Sequence, residues 1–179
     1  YFRRFMDAFP DVRALAAADQ EDVLHLWTGL CYYARARNLH QAAGQVCSEY
    51  NGTFPKSHKT LQELSGIGPY TAAAIASIAF AEPVPVVDGN VLRVITRLNA
   101  WKDDIRQRAT RDQIAEWLAP LIRVTPPATF NEALMELGAL ICTSGKPHCQ
   151  HCPLSKHCEA LANDATGSIP YKSPRAQRP

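Results

Sequence analysis

The sequence has no excess of charge of either sign. Its 19 Lys and Arg against 17 Asp and Glu leave a formal net charge of +2, so charge alone does not announce nucleic acid. It has no apolar run of membrane-spanning length and no secretory leader. With no such leader, the expected compartment is reducing, which argues against disulfides. No stretch reads as a strand, and no long-period repeat is present. The chain does not start with Met: Tyr1 falls inside a helical pattern. It therefore reads as a fragment whose natural N-terminus is missing.

What is present is ordinary in bulk. The 179 residues are 46% hydrophobic and 20% charged, enough for one large domain or two small ones with a real core. The apolar spacing is helical throughout, so the expected class is all-α. Phe2, Phe5, Met6 and Phe9 mark a first helix that Pro10 stops. Asp19 is a candidate N-cap for a face of Val23, Leu26, Trp27 and Leu30. Tyr32, Ala36, Leu39, Ala43 and Val46 mark a third helix, and Thr71–Phe80 a small-residue helix after Gly68 and Pro69. Asp88 caps a helix carrying Val91, Val94, Ile95 and Leu98. Ile114, Trp117, Leu118 and Leu121 give another, and a last long helix from Phe130 to Ile141 delivers Cys142. Pro83 and Pro85 suggest a boundary between a helical domain over 1–83 and a second over 84–163. The polar, basic tail over 164–179 reads as a linker.

The chemistry concentrates between Cys142 and Cys158. Cys142, Cys149, Cys152 and Cys158 are separated by six, two and five residues. Only Cys149 and Cys152 form a C-x2-C pair, so this is not the paired spacing of a zinc ribbon. Four thiolates on short loops suit one metal centre, and a cubane iron–sulfur cluster tolerates uneven spacing. Zinc, two disulfides or a reduced cysteine cluster remain the other readings. Grouped arginines (Arg35 with Arg37, Arg93 with Arg97) add local positive charge.

A second motif lies in Leu64-Ser65-Gly66-Ile67-Gly68, between two helices. Gly66 and Gly68 let backbone pass close to a ligand, and the next helix points its N-terminal amides at it. Ile67 is expected to plug the hairpin into the core. This is how a helix-hairpin-helix holds DNA phosphate without reading sequence. The same residues also suit a helix C-cap and an ordinary tight turn.

The combination of G-I-G, V-D-G-N-V (Val87 to Val91) and C-x6-C-x2-C-x5-C resembles the endonuclease III superfamily of DNA glycosylases. Within it, Leu26–Leu39, Ser65–Ala72, Val87–Val94 and Phe130–Ala139 are similar to the MutY-type adenine glycosylase branch. The resemblance runs from Tyr1 to about Tyr171. It implies the helix-hairpin-helix glycosylase fold in two helical domains and a 4Fe–4S cluster on the four cysteines. It implies a monofunctional hydrolase that removes adenine mispaired with 8-oxoguanine. The implied partner is duplex DNA with that mispair, bound by a monomer with no membrane. The implied location is the bacterial cytoplasm or the eukaryotic nucleus or mitochondrion.

The resemblance also assigns roles. Asp88 stabilises the positive charge that develops on the sugar, with Asn90 and Tyr70 lining the same site. Tyr70 stands where the lyase branch carries a nucleophilic lysine, which implies base excision without strong strand cleavage. The alternative is an endonuclease III-like glycosylase/lyase acting on oxidised pyrimidines; a non-catalytic DNA-binding module is another. Tyr32 is the implied wedge at the lesion, Arg35 and Arg37 phosphate contacts, and Glu132 an acidic neighbour of the site. Helix capping by Asp88, a first-turn role for Asn90 and surface packing of the tyrosines are the plain readings of the same residues.

Three departures carry expectations. The family's general-acid Glu lies upstream of Tyr1, so the chain as given is expected to be nearly inactive. Cys31 stands where the family usually has Gly, and a positive φ there would strain it. Ser65 replaces the usual Pro before Gly66, at the expected cost of some rigidity.

Overall fold

Helix α1 (Phe2–Ala8) stops before Pro10, as the apolar spacing predicts. This computed structural model describes residues 1–174; residues 175–179, the end of the expected linker, lie outside them. Among the described residues every regular element is helical, and no helix is long and apolar enough to cross a membrane. The chain divides into two units after Ala72, inside α6.

In the first unit, Asp11 caps a short helix α2 (Val12–Ala17) that the apolar spacing did not reveal. Its side chain accepts from the Ala14 N–H at 2.8 Å. Helix α3 (Gln20–Leu26) follows Asp19, whose side chain makes no capping bond. It ends at Trp27, so Leu30 is exposed rather than on the buried face. Helix α4 (Tyr33–Glu49) buries Ala36, Ala42, Ala43 and Val46, and leaves Leu39 at its edge. Phe9, Leu15, Val23, Ala36 and Ala43 form the core here, with Phe5 edge-on to Trp27 at 5.8 Å. One turn, α5 (His58–Leu61), is capped by Ser57 and leads into the hairpin before α6 (Pro69–Phe80).

The second unit is built on α7 (Gly89–Leu98). Its Val91, Leu92, Val94 and Ile95 pack with Ile105 and with Ile114 and Leu118 of α8 (Arg108–Leu118). Trp101 and Trp117 meet edge-to-face at 6.3 Å on this core. Helix α9 (Pro127–Glu136) starts on a proline and runs on as a π-turn, Leu137–Ile141. Two 3-10 turns, Cys149–His151 and Ser155–His157, and a last short helix, α10 (Glu159–Ala162), complete the unit.

Two boundaries differ from the sequence reading. The prolines at 83 and 85 break helix without separating units, because the connector between α6 and α7 is held inside the second unit. Val86 is fully buried, and its N–H donates to Asn131 Oδ1 of α9 at 2.9 Å. The tail is also docked through residue 173. Ile169 is buried, its carbonyl accepts from Arg97 Nε at 2.8 Å, and the Tyr171 carbonyl accepts from the Ile105 N–H at 3.2 Å. Polar composition concealed this because the tail binds mainly through its backbone.

Candidate active site and metal centre

Asp-Gly-Asn before an apolar-periodic run is a helix start, and Asp88 does cap α7. Its Oδ1 accepts from the Asn90 and Val91 N–H groups at 2.9 and 2.8 Å. Its Oδ2 accepts from Asn90 Nδ2 at 3.0 Å. The carboxylate is half-buried and both oxygens are fixed. The structure thus brings Asp88 and Asn90 together.

Asn90 is held in turn. Its Oδ1 accepts from an Arg93 terminal nitrogen at 2.8 Å, and the same nitrogen reaches the Gly138 carbonyl at 2.6 Å. Arg93 Nε donates to the Cys142 carbonyl at 2.6 Å. Burial pulls the Arg93 guanidinium below its ordinary pKa, while the charges of Cys142 and Asp88 oppose that shift. Gly138 is required at this contact: a Cβ there would lie 2.6 Å from Asn90 Cβ.

The π-turn closes with the Cys142 N–H donating to the Leu137 carbonyl at 2.7 Å, which presents Cys142 to the loop that follows. All six cysteines are free, and Cys142, Cys149, Cys152 and Cys158 line one cavity together with Arg97. Burial raises the Cys149 thiol pKa first, and the charges of Cys142, Cys158 and Cys152 raise it further. Buried Arg97 donates to Cys142 Sγ at 3.4 Å and to the Thr143 carbonyl at 2.8 Å. Four soft sulfur donors around one cavity, beside a fixed cation, fit an anionic iron–sulfur cluster. Among the described residues, no three His, Cys, Asp or Glu side chains gather tightly enough to ligate one metal ion.

The arginine pair 93 and 97 is therefore not a free basic patch. Both guanidiniums turn inward to carbonyls of the cysteine loop and the tail.

The hairpin lies in the first unit. Gly66 has φ +73, and a Cβ on it would meet Asn38 Cβ at 2.5 Å, so glycine is needed twice over. Gly68 faces open space. Leu64, rather than the half-buried Ile67, plugs the turn into the core. Ser65 donates its N–H to Gln45 Oε1 at 2.6 Å and its hydroxyl to Gln41 Oε1 at 2.8 Å. These bonds moor the hairpin to α4, a gain that the lost proline rigidity did not suggest. Tyr70 is exposed in the first turn of α6.

Tyr32 is 74% exposed and sits at the N-terminus of α4 in left-handed backbone. Arg35 stacks over its ring at 5.5 Å. Arg37 and Glu132 are exposed.

Sequence reasoning passed over the buried Asn131. The signal was available: at helical spacing, Asn131 falls on the stripe with Leu134 and Gly138, where a polar side chain must find partners.

Residues 1–120 match the HhH-GPD superfamily base excision DNA repair protein family. The chain is 42% identical over 170 residues to the adenine DNA glycosylase of Mus musculus, covering 94% of this chain and 33% of that protein. It is 43% identical over 155 residues to the adenine DNA glycosylase of Mycolicibacterium smegmatis, covering 86% and 52%. It thus spans about a third to a half of the length of these relatives. Among solved structures, a thermostable thymine-DNA glycosylase superposes with a TM-score of 0.78 at 26% identity, over 90% of this chain and 75% of that one. The matched length and the shared helical architecture agree: the chain belongs to the HhH-GPD superfamily of base excision DNA repair proteins.

Proposed function

We propose that the protein is a monofunctional DNA glycosylase that hydrolyses the N-glycosidic bond of adenine mispaired with 8-oxoguanine. The observation that carries the reaction class is the Asp88 carboxylate, fixed by three hydrogen bonds at the start of α7. Breaking the C–N bond develops positive charge on the sugar. A carboxylate already held in place stabilises that charge without reorganising during the step. Asn90 keeps the second oxygen in register. Tyr70 offers a phenol where the lyase branch uses an amine, so no Schiff base forms and water takes the sugar carbon. Adenine as the base rests on the names of the relatives, and 8-oxoguanine on the family resemblance.

Binding is assigned to the first unit. The amides after Gly66, Ile67 and Gly68 take a backbone phosphate at the N-terminus of α6, and open space at Gly68 leaves room for it. Tyr32, exposed and stacked by Arg35, fills the gap that a flipped base leaves in the duplex. Cys142, Cys149, Cys152 and Cys158 would hold a 4Fe–4S cluster. When bound, such a cluster cross-links the loop through four thiolates. A genomic substrate puts the protein in the bacterial cytoplasm or in the nucleus or mitochondrion, acting as a monomer.

The test uses the protein at its natural length and duplexes carrying A opposite 8-oxoguanine, T opposite G, or an oxidised pyrimidine. Alkali-dependent breaks at A, lost in Asp88→Asn with DNA binding kept, are expected. Alkali-independent cleavage at the pyrimidine, or excision of T alone, would overturn the substrate assignment. Zinc without iron in the purified protein would overturn the cluster.

A further inference from the structure

Asn131 is fully buried on α9, and two of its three side-chain hydrogen bonds go to the stretch that leads into Asp88. Its Oδ1 accepts from the Val86 N–H at 2.9 Å. Its Nδ2 donates to the Val84 carbonyl at 3.1 Å and to Ser77 Oγ at 2.9 Å. Ser77, also fully buried, donates its hydroxyl to the Ala73 carbonyl at 2.7 Å.

The sequence of the connector explains why an amide is needed. Pro83 and Pro85 have no N–H, so this stretch cannot carry a continuous strand ladder. Val86 is nevertheless buried, and a buried N–H without a partner is costly. One side-chain amide brackets Val84 and Val86 as a neighbouring strand would. A leucine at 131 would fill the same space and leave those groups unpaired. Asp88 lies only two residues beyond the bracket, in extended backbone with φ −92 and ψ −177.

We infer that Asn131 is a positioning residue for Asp88: by clamping Val84 and Val86 it sets where the connector enters α7, and so where the carboxylate stands. This rests on the catalytic role proposed for Asp88. Small displacements of a reacting group are expensive; about 1 Å costs on the order of 100-fold in rate.

The experiment compares Asn131→Leu, Asn131→Ser and Ser77→Ala with the wild type, each at natural length. Single-turnover excision of A opposite 8-oxoguanine is measured, with the active fraction taken from the burst amplitude. Amide hydrogen exchange is followed at Asn90 and Val91, whose N–H groups Asp88 holds. Asn131→Leu is expected to slow excision per active molecule by about 100-fold, with duplex affinity unchanged and exchange at both amides faster. Ser77→Ala, which leaves the bracket on Val84 and Val86 intact, is expected to keep the wild-type rate. Asn131→Ser provides the same readout should the leucine variant fail to fold. A lower melting temperature with an unchanged rate per active molecule and unchanged exchange would reduce Asn131 to a packing residue and overturn the inference. If the wild type excises no adenine, the functional reading fails by itself, and exchange at Asn90 and Val91 still decides whether Asn131 holds the cap.

Discussion

Arg93 Nε lies 2.6 Å from the carbonyl oxygen of Cys142, 49 residues away in sequence. The same guanidinium reaches Asn90 Oδ1 at 2.8 Å and the Gly138 carbonyl at 2.6 Å. One planar fork therefore joins the Asp88 cap to the first cysteine of the loop. Lysine has the charge but not the fork. Arg93→Lys is expected to lose at least two of these bonds, and to destabilise the protein by about 2 kcal/mol, as expected for bonds from a charged donor. With the proposed cluster on the four cysteines, iron bound per chain should fall in parallel, because the Cys142 carbonyl loses its Arg93 donor. Wild-type iron content and an unchanged urea midpoint in Arg93→Lys would refute this.

Ser65 ties the hairpin to α4 through Gln45 at 2.6 Å and Gln41 at 2.8 Å. Proline at this position would remove both donors. Ser65→Pro is expected to cost about 1–2 kcal/mol, the net worth of one or two such bonds, less any gain from restricting the unfolded chain. DNA affinity should fall as well if the hairpin shifts. Gln45→Ala should reproduce most of the stability loss. A Ser65→Pro protein more stable than wild type would mean that chain restriction outweighs the tie.

The parts of the fold that were legible in the sequence are those set by near neighbours. Asp88 and Asn90 stand two residues apart, and Asp-Gly-Asn before Val91, Val94 and Ile95 is read locally as a capped helix. The four cysteines are grouped by their spacing in the sequence, and they line one cavity. What stayed hidden depends on distant acceptors. Arg97 looks like surface charge until the carbonyls of Thr143 and Ile169 arrive from 46 and 72 residues away. Asn131 can be placed on the inner stripe of its helix by spacing, but its partners appear only when the connector 45 residues upstream is laid against it. Periodicity carries no term for such partners, so Arg97 was read only as local positive charge and Asn131 was passed over.

The tail makes a pH-sensitive contact. Asp104 Oδ1 accepts from the Arg106 N–H at 3.0 Å and the Ser173 N–H at 3.3 Å. Hydrogen bonding from Ser173, then from Arg106, holds its carboxyl below the usual carboxylate range. The native pKa is thus lower than the unfolded one. The contribution is complete above the unfolded value, about pH 4, and is lost as pH falls through the native value. Protection of the Ile105 amide, which donates to Tyr171, should decline over that acid range in the wild type. In Asp104→Asn it should be weaker at neutral pH and flat. An identical acid profile in both would assign the loss to another group.

Cys31 and Tyr32 are consecutive non-glycine residues in left-handed backbone, at φ 57 and 56. The kink is held from both sides. Trp27 Nε1 donates to the Cys31 carbonyl at 3.0 Å, and the Arg35 N–H donates to the Tyr32 carbonyl at 2.8 Å. It leaves Tyr32 projecting at the start of α4. A side chain in this region costs about 1–2 kcal/mol. Glycine removes that cost but adds about 0.5–1 kcal/mol of unfolded-state entropy. Cys31→Gly should therefore gain about 0.5–1 kcal/mol by this difference, read as a higher urea midpoint at constant slope. Cys31→Ala keeps a Cβ and should gain nothing. Equal gains in the two variants would mean that the thiol, not the backbone, is the source of strain.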